Sequence, residues 1–368
     1  MKTAILTQPL RTNYGGILQN YALQQTLKSM GHEVYTLDKA VTDHASLWKI
    51  LKRAGRIVFG KMPASYLFYE KKYKQDYSVF TQHTRAFVNR LINLYLYTDL
   101  REDMKSNSFD AYVVGSDQVW RRGYGDMEDV FLGFTRGWEV KRVAYAASFG
   151  VDKWEYTQEE TEICAAFAKQ FDAVSMREAS GVSLCKDYLG VSAVHVLDPS
   201  MLLTKEQYID LVDMNVTTPP EGQLFVHVLD KTPEKKGIIK GLANKYKLKP
   251  FTCNQEVSES YIEIPIERRI QPPVEQWLRS FLDAEYVVTD SFHATVFSIL
   301  FNKRFLVLGN PERGLTRIQS LLEKFGLEDC LITDAESLCF PDPDYADINN
   351  RIEHYRKESL SFLINSLR

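Results

Sequence analysis

The run Val287-Val288-Thr289-Asp290-Ser291-Phe292-His293-Ala294-Thr295-Val296-Phe297-Ser298-Ile299 puts an ionisable ring where a backbone can hold an anion. Ala284 to Val288 reads as a buried strand. Thr289, Asp290 and Ser291 are N-cap residue types, and the residues through Leu300 have helical length and spacing. His293 is therefore expected in the first turn of a helix, just past a strand's carboxyl end, where open α/β sheets bind ligands. Free N–H groups and the helix dipole there favour an anion and disfavour a permanent imidazolium. A neutral imidazole beside an anion site is suited to general acid or base chemistry.

Four other loops offer partners. Thr12-Asn13-Tyr14-Gly15-Gly16 joins a strand to a helix, and its glycines either admit a ligand to the backbone or make a tight turn. It is neither GxGxxG nor a P-loop. Ser116, Asp117 and Gln118 follow the apolar Val113-Val114 and suit sugar hydroxyls, with Trp120 placed to stack on a sugar or to fill a core. Arg177 follows Ser175-Met176, and its planar fork fits a carboxylate, a phosphate or a neighbouring acid such as Glu178. Arg313 and Arg317 lie four apart near a helix start, where cations oppose the dipole unless they serve an anion. His195 and His227 sit on strands that read as buried and are expected to be core residues. No two histidines share metal-ligand spacing, so no metal site is expected.

The elements that must position these residues alternate. Strands at Thr3–Leu6, Val34–Leu37, Ala111–Val114, Arg142–Ala146, Ala173–Ser175 and Ala193–Val196 are interleaved with helices, the first from Ile17 to Met30. A second series begins after Asp198-Pro199, with strands near Leu224–Val228, Pro250–Thr252, Tyr286–Thr289 and Arg304–Leu308. Two such series predict an α/β protein of two Rossmann-like domains facing across a cleft: 1–200, 201–345, and a closing helix over 346–368 that returns to the first domain or does not.

The chain has 368 residues, 45% of them hydrophobic and 25% charged, as in an ordinary soluble globular protein. A net charge of −3 gives no electrostatic case for nucleic acid. The five cysteines form no CxxC pair, which fits a reducing cytoplasm. The opening Met1-Lys2-Thr3-Ala4-Ile5-Leu6 is too short an apolar run for a signal peptide, and no stretch of 18 apolar residues exists. In 47–77, Lys49, Lys52, Arg53, Arg56, Lys61, Lys71, Lys72 and Lys74 interleave with Trp48, Leu51, Phe59, Phe68 and other large apolar residues. That excursion is either a solvated helical segment or a surface for anionic headgroups or a lipid-linked substrate at a membrane's inner face.

Seven stretches together resemble the polysaccharide pyruvyl transferase family: "TNYGGILQNYALQQTLKSMGHEV", "VVGSDQVW", "AYAASFG", "SMREASG", "VLDPSMLL", "TDSFHATVFSILFNKRF" and "RGLTRIQSLLEKFGL". They occur in the family's order, from residue 1 to about 330. The resemblance implies a fold similar to GT-B glycosyltransferases. It also implies transfer of pyruvate from phosphoenolpyruvate, as co-substrate, to two saccharide hydroxyls, giving a ketal and phosphate with no further cofactor. The family's catalytic histidine falls on His293, and its donor-binding arginine on Arg177. Many members carry a second arginine two residues before the histidine; Ser291 stands there, so either Arg313 or Arg317 supplies the charge or the donor is held in another geometry. Asn13, Tyr14, Gly15, Gly16, Ser116, Asp117, Gln118 and Trp120 are expected on the acceptor side. The readings from other classes are a nucleotide-sugar glycosyltransferase and a noncatalytic sugar-binding relative.

Overall fold

A computed structural model describes residues 1–43, 45–105, 109–214, 217–253, 262–309, 315–332 and 338–368. Two parallel sheets organise the described chain. The first holds β1 (Lys2–Leu6), β2 (Glu33–Lys39), β3 (Leu94–Tyr97), β4 (Ala111–Val114), β5 (Lys141–Ala147), β6 (Ala173–Met176) and β7 (Val194–His195), in the order β3-β2-β1-β4-β5-β6-β7. The second holds β8 (Leu224–His227), β9 (Pro250–Phe251), β10 (Tyr286–Thr289), β11 (Arg304–Leu308) and β12 (Leu331–Ile332), in the order β12-β11-β10-β8-β9. Central strands such as β4 are buried on both faces, which is why they read as continuous apolar runs rather than alternating ones.

Each sheet reverses its winding once. The first turns between β1 and β4, where Leu6 pairs with Val114. The second turns between β8 and β10, where Thr289 pairs with His227. Such switch points leave a crevice beyond the carboxyl ends of the strands. Here the crevices face one another.

The halves share an apolar core, in which Ile17, Leu18 and Phe87 of the first join Val274, Trp277 and Phe297 of the second, and specific polar contacts are added to it. Tyr14 Oη donates to Pro272 O at 2.8 Å, and its ring stacks on Trp277 at 5.3 Å. Gln271 Nε2 donates to Thr12 O at 3.0 Å, and its N–H donates to Phe80 O at 3.1 Å. The closing helix, Tyr345–Ser366, begins beside the second sheet and ends on the first. Ile348 and Ile352 share a core with Phe305 and Phe325, whereas Leu363 packs with Ile5, Leu23, Val34 and Val113.

The first helix runs Tyr14–Ser29, three residues earlier than the apolar spacing suggests. Asn13 is its N-cap, with Oδ1 accepting from Gly16 N at 3.2 Å, so Gly15 and Gly16 are helical rather than loop. The strands β3 and β12 are short edges that the sequence pattern did not announce.

Candidate active site

A cleft of about 140 Å³ opens between the two switch points, lined by Asn13, Asp117, Gln118, Arg121, Tyr124, Leu229, Asp290, Ser291, Phe292, His293, Arg317 and Ile318. Every one of them lies beyond the carboxyl end of a strand. Asp117 follows β4 with φ 67, in the left-handed region that Asp tolerates better than most residues. Its Oδ1 lies 3.4 Å from Arg177 Nη2 and 3.9 Å from Arg317 Nη1, and Oδ2 accepts from Asn13 Nδ2 at 3.4 Å. Asp198 lies just past β7. Its Oδ2 accepts from Arg177 Nη1 at 2.9 Å and Ser116 Oγ at 3.3 Å, while Oδ1 accepts from Ser200 N at 2.9 Å.

His293 sits one residue into the helix Phe292–Leu300, all nine residues of which are buried. A helix apolar on every side belongs in a core, and here its amino end emerges into the cleft. The N-cap, Ser291, makes no side-chain capping bond, so no hydroxyl covers the first-turn N–H groups. Asp290 is held behind it by Leu229 N, Asp230 N and Lys235 Nζ, the last at 2.6 Å. The imidazole packs against the first helix at Gly15, where a Cβ would lie 2.1 Å from Nδ1. His293 Nε2 lies 3.7 Å from Asp198 Oδ2, beyond hydrogen-bond length, and has no hydrogen-bond partner among the described residues.

Burial lowers the His293 pKa from its ordinary value, and the Arg177 and Arg317 cations reinforce that against the pull of Asp198 and Asp117. The ring therefore rests neutral. Burial alone would raise Asp198 and Asp117, but the Arg177 guanidinium beside both, Arg317 near Asp117 and the charge His293 carries once protonated lower them from the usual carboxylate value. Arg317 is pushed down to about 10 by burial and by Arg177, which still leaves it charged at neutral pH. Both guanidinium groups also lie over the Phe292 ring, Arg177 at 4.2 Å and Arg317 at 5.6 Å from its centroid.

The structure gathers Asn13, Asp117, Gln118, Ser291, His293 and Arg317 on the cleft. Gln118 Oε1 accepts from Arg121 Nη1 at 2.9 Å, which brings a further cation to the rim. Other expected contact residues lie elsewhere. Arg177 is buried behind Asp117 and Asp198 and does not line the cleft; its fork is taken up by those two carboxylates. Trp120 is fully buried, stacked on Phe131 at 4.6 Å with its N–H on Val130 O, so it offers no face to a sugar. Ser116 is enclosed by Ala146 O and Asp198, and Tyr14 by Pro272 and Trp277. Gly15 and Gly16 shape the helix start rather than face the cleft. Arg313 lies outside the described residues. His227, bonded by Trp277 Nε1, is a core residue, whereas His195 is only half-buried, with Nε2 3.1 Å from Arg177 O and its pKa pushed down to about 4 by burial. Sequence reasoning gave no role to Asp198 or Arg121. The only signal for Asp198 was its place in "VLDPSMLL", directly after a strand.

Two Rossmann-like parallel sheets meeting at a cleft define the GT-B class. In keeping with it, the chain superposes on UGT89C1 from Arabidopsis thaliana, a structure complexed with UDP-L-rhamnose, with a TM-score of 0.51 at 9% identity over 99% of this chain and 98% of that one. Two further likenesses are UDP-GlcNAc 2-epimerase from Neisseria meningitidis (TM-score 0.48, 9% identity, 100% and 99% covered) and MurG from Acinetobacter baumannii (0.46, 11%, 100% and 99%). No curated protein matches the sequence. The polysaccharide pyruvyl transferase family profile matches residues 13–312, and the chain belongs to that family. It is accordingly a transferase of pyruvyl groups in polysaccharide synthesis.

Proposed function

We propose that the chain transfers the pyruvyl group of phosphoenolpyruvate to two hydroxyls of a saccharide, forming a ketal and releasing phosphate in exopolysaccharide or cell-envelope glycan synthesis. The observation that carries this reading is the neutral, buried imidazole of His293 in the first turn of a helix, facing Asp198 at 3.7 Å in a cleft that also holds Arg317. Arg317, Arg121, the Ser291 hydroxyl and the helix N–H groups hold the donor's phosphate and carboxylate. Arg177 acts from behind, fixing Asp117 and Asp198. Asn13, Asp117 and Gln118 receive the acceptor hydroxyls.

His293 arrives as a base. It takes the proton of the first attacking hydroxyl as that oxygen bonds to the donor's central carbon. Asp198 stabilises the imidazolium, which passes the proton to the methylene carbon, making it a methyl group. The second hydroxyl then replaces phosphate at the same carbon, the C–O bond to phosphate breaks, and that hydroxyl's proton leaves with the phosphate. A general acid–base group is worth about 10²–10⁴-fold in rate. His293→Ala is expected to lose that much phosphate release while still binding phosphoenolpyruvate and melting as the wild type does. Titration of the wild-type protein with phosphoenolpyruvate and, separately, with UDP and CDP discriminates the donor. Heat on nucleotide alone would replace this reading with a nucleotide-sugar one.

A further inference from the structure

The helix Leu47–Val58 contributes nothing to either core: none of its residues is buried. Its sequence nevertheless carries a full apolar face. Leu47, Leu51 and Val58 fall on one side at helical spacing, with Trp48 and Phe59 next to them. Their exposures are 72%, 57% and 81%, then 76% and 77%. Val58, Phe59, Trp48 and Leu47 are the four most exposed large apolar side chains among the described residues. The helix is held down by its other side, where Ile50, Ala54 and Ile57 are half-buried and Arg53 makes a two-point bond to Glu70 at 2.6 and 2.7 Å.

Charge follows the same division. Between Asp43 and Glu70 the chain carries Lys49, Lys52, Arg53, Arg56 and Lys61 and no carboxylate, in a protein whose net charge is −3. Arg53 is taken by Glu70. Lys49, Lys52 and Arg56 are exposed and flank the apolar face along one edge. An apolar face bordered by cations, on a helix laid along the surface, has the build of a helix that sinks its apolar side into the boundary of a bilayer while its cations meet anionic headgroups. A second copy of the chain fits worse, because a two-fold interface sets the patch on itself and brings like charges together.

We infer that the helix Leu47–Val58, with Phe59, docks the enzyme on an anionic lipid bilayer. The position of the helix relative to the cleft gives this a use. The helix Tyr69–Phe80 follows it, about 18 Å long at 1.5 Å per residue. Its last residue, Phe80, accepts from Gln271 N, and Gln271 in turn donates to Thr12 O, next to Asn13 at the cleft. The docking helix, tied by Arg53 to Glu70, is thus joined through one short helix to the residues beside the cleft. If the proposed pyruvyl transfer holds, the acceptor is a saccharide carried on a membrane lipid. The docking itself does not depend on that chemistry.

The test uses the full chain and vesicles without substrate, so its failure is separate from failure of the donor assignment. The protein is sedimented with vesicles of equimolar phosphatidylcholine and phosphatidylglycerol, and with phosphatidylcholine alone. Binding is expected on the mixed vesicles, weaker at high salt, with Trp48 emission moving to the blue; Trp48→Tyr removes that shift. Each cation within reach of an anionic surface is worth about fivefold in affinity, so Lys49→Gln/Lys52→Gln/Arg56→Gln should bind on the order of 100-fold more weakly. Leu51→Ser/Val58→Ser should lose binding with unchanged melting, since both side chains are already in water. Absence of binding to the mixed vesicles, or wild-type binding by both multiple variants, overturns the inference. So does a lipid-free dimer that Leu51→Ser/Val58→Ser dissociates, which would give the face to a second copy.

Discussion

At the scale of single residues the site depends on His293 having room and being neutral. Gly15 gives the room. Its substitution by Ala would place a Cβ 2.1 Å from the ring nitrogen, and the wall is a helix, so the histidine must move. Gly15→Ala is therefore expected to approach His293→Ala in lost rate while the affinity for phosphoenolpyruvate, which the proposed reading assigns to other groups, changes little. Wild-type turnover in a folded Gly15→Ala protein would remove this contact from the mechanism. Neutrality has a sign that pH can read. The folded His293 has a lowered pKa, so it stays a base down through about 6.5, where an unfolded histidine takes up its proton. The acidic limb of kcat/KM should accordingly lie below about 6.5. On the same grounds, this group weakens the fold as pH drops through that value, because only the unfolded chain binds the proton. Asp198→Asn removes the carboxylate that most favours the imidazolium and should move the limb lower still. It also strips Arg177 of a buried partner, at a cost of about 3–5 kcal/mol, so the profile is read on protein shown to be folded by circular dichroism. An acidic limb that stays put in Asp198→Asn separates the carboxylate from the titration of His293.

At the scale of elements, the strand ends set what can meet. β10 and β11 are paired neighbours, Thr289 against Val307, so the helices after them begin side by side. That places Ser291 and Arg317 on one wall, although 26 positions separate them in sequence. Arg317→Ala should raise the phosphoenolpyruvate requirement about 10–100-fold, the worth of about 1.5–3 kcal/mol for hydrogen bonds to a charged group. Ser291→Arg in that background should return part of it, because the new side chain starts at the helix end that faces the same anion. No recovery would place the donor's charge away from this wall. The wall was legible in sequence because capping residues, apolar runs and glycine stops are local signals. The start of the first helix was missed for a local reason as well: two glycines outweighed Asn13 as a cap. What was not legible is which side chain faces which. Arg177 looked like a ligand clamp because a lone arginine at a strand end has that form. Its partners, Asp117 and Asp198, lie on two other loops, and no spacing within "SMREASG" points to them. Trp120 follows a polar loop, yet the chain turns it inward onto Phe131, a contact decided by tertiary packing.

At the scale of the whole molecule, a cleft between two sheets works only if the sheets keep their relation, and the closing helix bears on that. It has 22 residues, about 33 Å of length, enough to run from one sheet to the other. Tyr345 Oη donates to Lys303 O beside the second sheet. Further along, Arg356 donates to Met201 O at 2.8 Å and Leu203 O at 3.1 Å, across the segment that joins the halves, and Ser359 Oγ accepts from Leu197 N at 3.0 Å. Leu363 then enters the first core fully buried. Because one rigid element has its ends in both halves, loosening either end should loosen both. Leu363→Ala is expected to cost about 2–5 kcal/mol, the range for a buried leucine that leaves a cavity. The loss should appear as a single melting transition shifted downward, with the emission of Trp277 in the second half and Trp120 in the first changing together. Arg356→Ala, which leaves two carbonyls of the joining segment without their donor, should shift the same single transition. Two separated transitions in either variant, with the second sheet melting at its original temperature, would mean that the halves are stable independently. The cleft would then be held by the other contacts between the halves, Tyr14 and Gln271 with their partners, the Arg90–Glu275 and Arg269–Asp76 pairs and the core that Ile17 shares with Trp277, rather than by the closing helix.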